Sequence, residues 1–420
     1  MTINVKKYFP INTATSCQLK WAWSTIHLNI GTTKSCHRTA ESELTEENFL
    51  NFHNTPTKIA DRKDMLEGKW PEKNCSYCRE IEEVGGVSDR IRHSSIAGLT
   101  PIELETDPTA IIVSPSIIEV YFNNACNLGC LYCDAILSST IETENKKFGN
   151  FEKYGVKLIQ QTNHFKDLVP LFWQWFPNGF SKIKRLHVLG GEPFYQKEFD
   201  KLLDMIEENP NPECELNVVT NLMVPKKRIE EFINRFKKLI VTKKLKRIDI
   251  TCSIDCWGIE QEYVRWGINL NQWEENFKLL IENKWIYLNI NQTISALTIK
   301  TMPELLIRLN EWRHNRKIGH WFGGVTPGPS YLKGEIFGNV EFLDSIEEIL
   351  SLLPIDTDED KFAFEYMDGI LKQIMSKKQN LEEIRNLLIY LNEKDRRRNT
   401  NWRTVFPWLI KYEDLCGIQE

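Results

Sequence analysis

The chain has 420 residues, a formal net charge of -5, 41% hydrophobic and 26% charged residues, and 13 Trp. That length exceeds the size at which one core stops growing, and the apolar fraction excludes general disorder. The mild acidity excludes the basic field that neutralises a phosphate backbone, so no nucleic-acid partner is expected.

The N-terminal MTINVKKYFP lacks the apolar core of a secretory signal, and no apolar run reaches membrane-crossing length. The chain therefore reads as cytoplasmic, with no membrane partner. In a reducing compartment its eleven cysteines read as metal ligands or catalytic groups rather than a disulfide framework. Residues 1–100 hold Cys17, Cys36, Cys75 and Cys78, the last two as a CxxC. A hairpin turning at Gly31 brings Cys17 beside Cys36, and the CxxC supplies a second pair. The four thiols fill every position of an iron-sulfur cluster or of a zinc site, and their spacing suits both. Ser88 and Arg90 read as anchors of this N-terminal lobe. Pro101, Pro108 and Pro115 mark residues 101–116 as a linker.

From residue 117 short β-rich runs alternate with helical periodicity. Strands are predicted at 117–122, 185–189, 215–220, 247–254 and 287–293, with a weaker one at 320–325. Helices are predicted at 199–208, 228–239, 272–283 and 303–313. This rhythm predicts an α/β fold over 117–330, a partial (β/α)6 TIM-like barrel with its site at the C-terminal ends of the strands. Residues 331–420 read as a helical C-terminal extension. Within it, the acidic run 356–360 reads as a loop, and Lys394 to Arg398, KDRRR, as a solvated helix end.

Between Ala125 and Asp134 the sequence is ACNLGCLYCD. Cys126, Cys130 and Cys133 offer three thiols on one loop directly after the first barrel strand. A closed zinc site takes four ligands, whereas three thiolates on a four-iron cluster leave one iron for an exogenous ligand. Structural zinc is the open alternative.

The CxxxCxxC spacing, with Tyr132 before the last cysteine, resembles that of the radical S-adenosylmethionine (SAM) superfamily. The resemblance implies a 4Fe-4S cluster on these cysteines whose free iron binds the amino and carboxylate groups of SAM. An electron from that cluster would cleave the sulfonium to methionine and a 5'-deoxyadenosyl radical, which abstracts a substrate hydrogen. It also implies an electron donor such as a flavodoxin or ferredoxin. Gly190, Gly191, Glu192 and Pro193 match the family's GGEP segment, which holds the methionine amino group; alone, they also read as a tight turn. Asn221 ends the third strand, and Ser253 and Asp255 share one face at the end of the fourth. The family places polar groups there near the ribose and methionine carboxylate of SAM. Asn291 and Thr293 on the fifth strand are further candidates. All are also ordinary strand-exit and capping residues.

The N-terminal cysteine set resembles the SPASM or twitch modules of radical SAM maturases, although it precedes the barrel instead of following it. That resemblance implies a second 4Fe-4S cluster on Cys17, Cys36, Cys75 and Cys78, with four-cysteine zinc left open. Cys214, Cys252 and Cys416 read as small buried hydrophobes. Cys256, just beyond the fourth strand, is a candidate hydrogen-atom donor. The resulting expectation is a radical SAM enzyme modifying a peptide or protein, its lobes capping the barrel mouth. Radical oxidation or rearrangement of a small molecule such as an amino sugar is the alternative. A non-catalytic zinc-binding interaction protein is the rival from another class.

Overall fold

In the computed structural model, which describes residues 14–83, 88–91, 109–149, 168–325 and 328–418, every predicted strand and helix of the βα rhythm is present. In chain order the strands are β1 (Trp23–His27), β2 (Thr32–Lys34), β3 (Ser42–Glu43), β4 (Ile117–Tyr121), β5 (Gly129–Cys130) and β6 (Arg185–Val188). They continue as β7 (Asn211–Thr220), β8 (Leu245–Ser253), β9 (Arg265–Trp266), β10 (Tyr287–Ile294) and β11 (Gly319–Gly324). The chain divides into two compact units: Met1–Asn123, Thr162–Val218 and Arg235–Ile248 form the first, and Asn124–Gln161, Val219–Asn234 and Asp249–Glu420 the second. No helix among the described residues is long and apolar enough to cross a membrane.

In the first unit β4, β6 and β7 run parallel, with Glu119 opposite His187 and His187 opposite Asn217. The N-terminal segment contributes to this sheet as well. β1 joins the same sheet, parallel to β4 with Thr25 opposite Glu119, and pairs antiparallel with β2. The predicted turn at Gly31 exists, with φ of 65° in the left-handed region that a residue without Cβ enters freely. The reason for the docking is apolar content: Trp21 and Ile26 are wholly buried and would be wasted on an isolated lobe. Residues 110–113 of the expected linker are tied to this segment. Trp21 Nε1 donates to Ala110 O at 2.9 Å, Arg62 Nη1 to Ile111 O at 2.8 Å, and Asn54 Nδ2 to Val113 O at 3.0 Å. Residues 101–108 lie outside the described residues.

Helix Pro56–Leu66, capped by Thr55, turns Lys58, Asp61, Arg62 and Met65 inward at helical spacing. Buried charges persist only with partners. Lys58 Nζ accordingly donates to Ser24 Oγ (2.8 Å), Thr33 Oγ1 (2.8 Å) and Phe52 O (2.7 Å), and Lys20 pairs with Asp61.

In the second unit β10 lies between β8 and β11, all parallel. Along β10 buried Ile290, Gln292 and Ile294 alternate with half-buried Asn289, Asn291 and Thr293, the period of a strand with one apolar and one polar face. Helices Leu270–Glu282 and Met302–Arg313 bury Trp273, Phe277, Leu305 and Trp312. Helices Leu343–Leu352, Asp358–Ser376 and Leu381–Arg398 form the C-terminal extension. Two expectations fail there. The acidic run is not a loop throughout: Thr357 and Asp360 form a capping box that starts a helix, where a carboxylate meets free backbone N–H groups. The KDRRR segment is not a solvated end either, since the side chains of Lys394, Arg397 and Arg398 are 4%, 2% and 2% exposed.

Candidate active site

The loop carrying Cys126, Cys130 and Cys133 is pinned at both ends by short polar contacts. Ser139 Oγ and Thr140 Oγ1 donate to Cys126 O at 3.1 and 2.8 Å, Ser138 Oγ donates to Leu128 O at 2.7 Å, and Asp134 Oδ1 accepts from the backbone N–H of Ile136 and Leu137. At its centre β5 pairs with β9, placing Gly129 opposite Trp266 and Cys130 opposite Arg265. Tyr390, from the C-terminal extension, donates its hydroxyl to Leu131 O at 2.5 Å.

N–H donors face two of the sulfurs. Asn221 Nδ2 lies 3.8 Å from Cys126 Sγ and Arg265 Nη1 lies 4.0 Å from Cys130 Sγ. Burial pushes the thiols of Cys130 and Cys133 up, while the Arg265 guanidinium opposes this at Cys130. Three soft thiols on one loop, met by amide and guanidinium hydrogens, suit an anionic iron-sulfur cluster. Among the described residues no three His, Cys, Asp or Glu side chains converge as a single metal ion requires.

Asp255 is fully buried and both its oxygens are engaged. Oδ2 accepts from Tyr132 Oη (2.6 Å) and Arg265 Nε (2.8 Å), and Oδ1 from Arg265 Nη2 (2.9 Å) and Thr293 N (2.8 Å). The carboxylate thus clamps Tyr132 and Arg265 beside the cysteine loop. Ser253 lies opposite Asn291 in the β8–β10 register, so the two share one polar face. Asn221 also donates to Asn127 Oδ1 at 3.0 Å, which ties strand exit β7 to the loop. The next residue, Leu222, has φ of 62° and is held there by Asn276 Nδ2, which donates to Leu222 O at 2.9 Å. Cys256 is wholly buried, its sulfur 3.5 Å from Gln261 Oε1.

The GGEP segment and the N-terminal cysteine set belong to the first unit. Gly190 and Gly191 have φ of 86° and 61°, and Glu192 is fully buried and caps the turn at Pro193 by accepting from Phe194 N at 3.0 Å. The backbone at Gly190 lies against Tyr121, whose Cδ1 would be 2.2 Å from any Cβ there. Cys17, Cys36, Cys75 and Cys78 line a single pocket together with Lys20, Trp70 and Arg90. Burial pushes the Cys75 thiol up to about 12 and raises Cys17 further, with neighbouring thiols adding to both. Arg90 donates to Ser16 O at 2.7 Å and Ala14 O at 2.8 Å, and both Ser88 and Arg90 reach Glu82, the anchoring expected of them. Cys214 and Cys252 are wholly buried, whereas Cys416 is half-buried.

Three residues escaped the sequence reading. Arg265 and Arg398 sit in unremarkable contexts, although the KDRRR run flagged the second. Glu119 is a buried carboxylate inside an apolar strand, where period-two alternation signals a polar face; it accepts from Thr25 Oγ1 at 3.0 Å and meets His37 Nε2 at 3.5 Å.

No family model and no curated protein matches the chain. Several solved structures are similar in outline. Native anSMEcpe with bound AdoMet aligns at a TM-score of 0.36 and 15% identity, over 65% of this chain and 66% of that one. Streptococcus suis SuiB bound to precursor peptide SuiA aligns at 0.34 and 16%, over 90% and 71%. Coproporphyrinogen III oxidase (HemN) from Escherichia coli, described as a radical SAM enzyme, aligns at 0.33 and 13%, over 61% and 52%. The chain thus spans just under two thirds of the length of the first of these and about half that of the last.

Proposed function

We propose that this chain is a radical SAM enzyme, built on a partial (β/α)6 barrel, that acts on a peptide or protein. The reading is carried by one observation: three thiols on a single pinned loop, Cys126, Cys130 and Cys133, with Asn221 and Arg265 directing N–H groups at two of the sulfurs. Three thiolates hold a four-iron cluster and leave one iron open for the amino and carboxylate groups of SAM. Such a cluster, when bound, supplies the electron that cleaves SAM to methionine and a 5'-deoxyadenosyl radical. The chain's own residues set position and access. Asp255 fixes Tyr132 and Arg265 by three hydrogen bonds. Gly190 and Gly191 shape a tight backbone turn, and Ser253 and Asn291 present polar groups on one face. Cys17, Cys36, Cys75 and Cys78 are assigned to a second 4Fe-4S cluster, because they share one pocket with a buried Lys20 that offsets anionic sulfur. A flavodoxin or ferredoxin is the proposed electron donor. The peptide class rests on the likeness of that cysteine set to maturase modules.

Anaerobic purification followed by iron analysis and incubation with dithionite and SAM tests the proposal. The expected result is a brown protein with about eight irons per chain that forms 5'-deoxyadenosine. A Cys126→Ala, Cys130→Ala, Cys133→Ala variant should form none. Colourless protein carrying zinc refutes the reading.

A further inference from the structure

Arg398 ends helix Leu381–Arg398, and its side chain is 2% exposed. Its Nε donates to Glu144 Oε2 at 2.7 Å, but Nη1 and Nη2 are buried and meet no hydrogen-bond acceptor among the described residues. A guanidinium stays charged at every accessible pH, and leaving its buried donors unmade is costly, so their aim is informative. Nη2 lies against the cysteine loop. The guanidinium lies 4.9 Å over the Trp266 ring, and a Cβ on Gly129 would be 3.0 Å from Nη2. Gly129 directly precedes Cys130, the second of the three loop cysteines. Arg265, the other cation at this loop, is already neutralised by Asp255. Glu144, in contrast, is shared by Lys394 and Arg398, while Arg397 has its nearer partner in Glu393 at 2.8 Å, so one carboxylate serves two buried cations beside the loop.

Building on the functional reading above, we propose that Arg398 is a positioning residue whose Nη1 and Nη2 donate to sulfur of the cluster held by Cys126, Cys130 and Cys133, raising its reduction potential. Both the charge and the N–H groups favour the reduced, more negative cluster. The C-terminal extension would then belong to the reducing centre instead of merely covering it.

The test is an EPR-monitored redox titration of the full chain, following the signal that SAM perturbs, in wild type, Arg398→Met and Arg398→Lys. The expected result is a more negative midpoint in Arg398→Met, with Arg398→Lys between it and wild type, at unchanged iron content. Variants that keep their iron and titrate at the wild-type potential overturn the proposal while leaving the function intact. Wild-type protein with no SAM-perturbed cluster overturns both. Should Arg398→Met not fold, Arg398→Lys decides alone, because a lysine keeps the charge but loses the paired donors: a wild-type midpoint and signal overturn the assignment, and a negative shift supports it.

Discussion

Arg265 stands across the β5–β9 pair from Cys130, with Nη1 4.0 Å from the sulfur, while Asp255 holds its Nε and Nη2 at 2.8 and 2.9 Å. The ion pair is almost fully enclosed, with side chains 7% and 0% exposed. Breaking one partner of such a pair strands a buried charge, which costs about 3–5 kcal/mol. Asp255→Asn should therefore lower the urea midpoint steeply and release iron from the loop. A variant with wild-type midpoint and iron content would show that the clamp is dispensable.

The Gly190 turn makes a different prediction. Alanine there must adopt φ of 86° and set its Cβ 2.2 Å from Tyr121 Cδ1, a buried ring stacked on His27 at 4.1 Å. Gly190→Ala should destabilise the protein by about 1–3 kcal/mol, the cost of an overpacked site. Denaturation of the purified variant measures this directly, and a loss of less than half a kcal/mol, roughly the level of a neutral surface change, would contradict it.

Tyr390 links the C-terminal extension to the cysteine loop through Leu131 O. Tyr390→Phe removes that donor from a buried carbonyl, a penalty of about 1–3 kcal/mol. Faster loss of iron to a chelator is expected, with the N-terminal set unaffected. Equal release rates in the two proteins would separate Tyr390 from the loop's stability.

The N-terminal thiols predict a pH dependence for metal-free protein. Burial raises Cys17, Cys75 and Cys78 in the folded state, so folding favours their protonated form. In the unfolded chain they ionise near pH 8.5, and stability falls as pH rises from there toward the folded values. The urea midpoint should drop between pH 7 and pH 10 in apo protein. Replacing Cys17, Cys75 and Cys78 by Ser should flatten the profile; an equally steep fall would place its cause elsewhere.

Much of this was readable from residue order. The βα strands followed from short strand-prone runs such as those at 185–189 and 287–293, and their helices from apolar spacing in segments such as 272–283. The hairpin at Gly31 followed from a residue able to take positive φ. Tertiary context overruled the local reading wherever charge or aromatic content was placed by distant partners. Trp21 and Trp23 drew the N-terminal segment into the sheet beside β4, and Glu144 drew two basic residues of KDRRR out of solvent.

By itself the sequence determined the thiol spacing, the alternation of strands and helices, and the glycine turns, because these depend on neighbours within a few residues. Only the tertiary structure decided that Arg265 faces Cys130, that Asp255 is a clamp, and that Arg398 reaches Gly129 from the far C-terminal helix. These contacts join residues up to hundreds of positions apart. No local preference encodes them, because they form only where burial makes a charge find its counterpart.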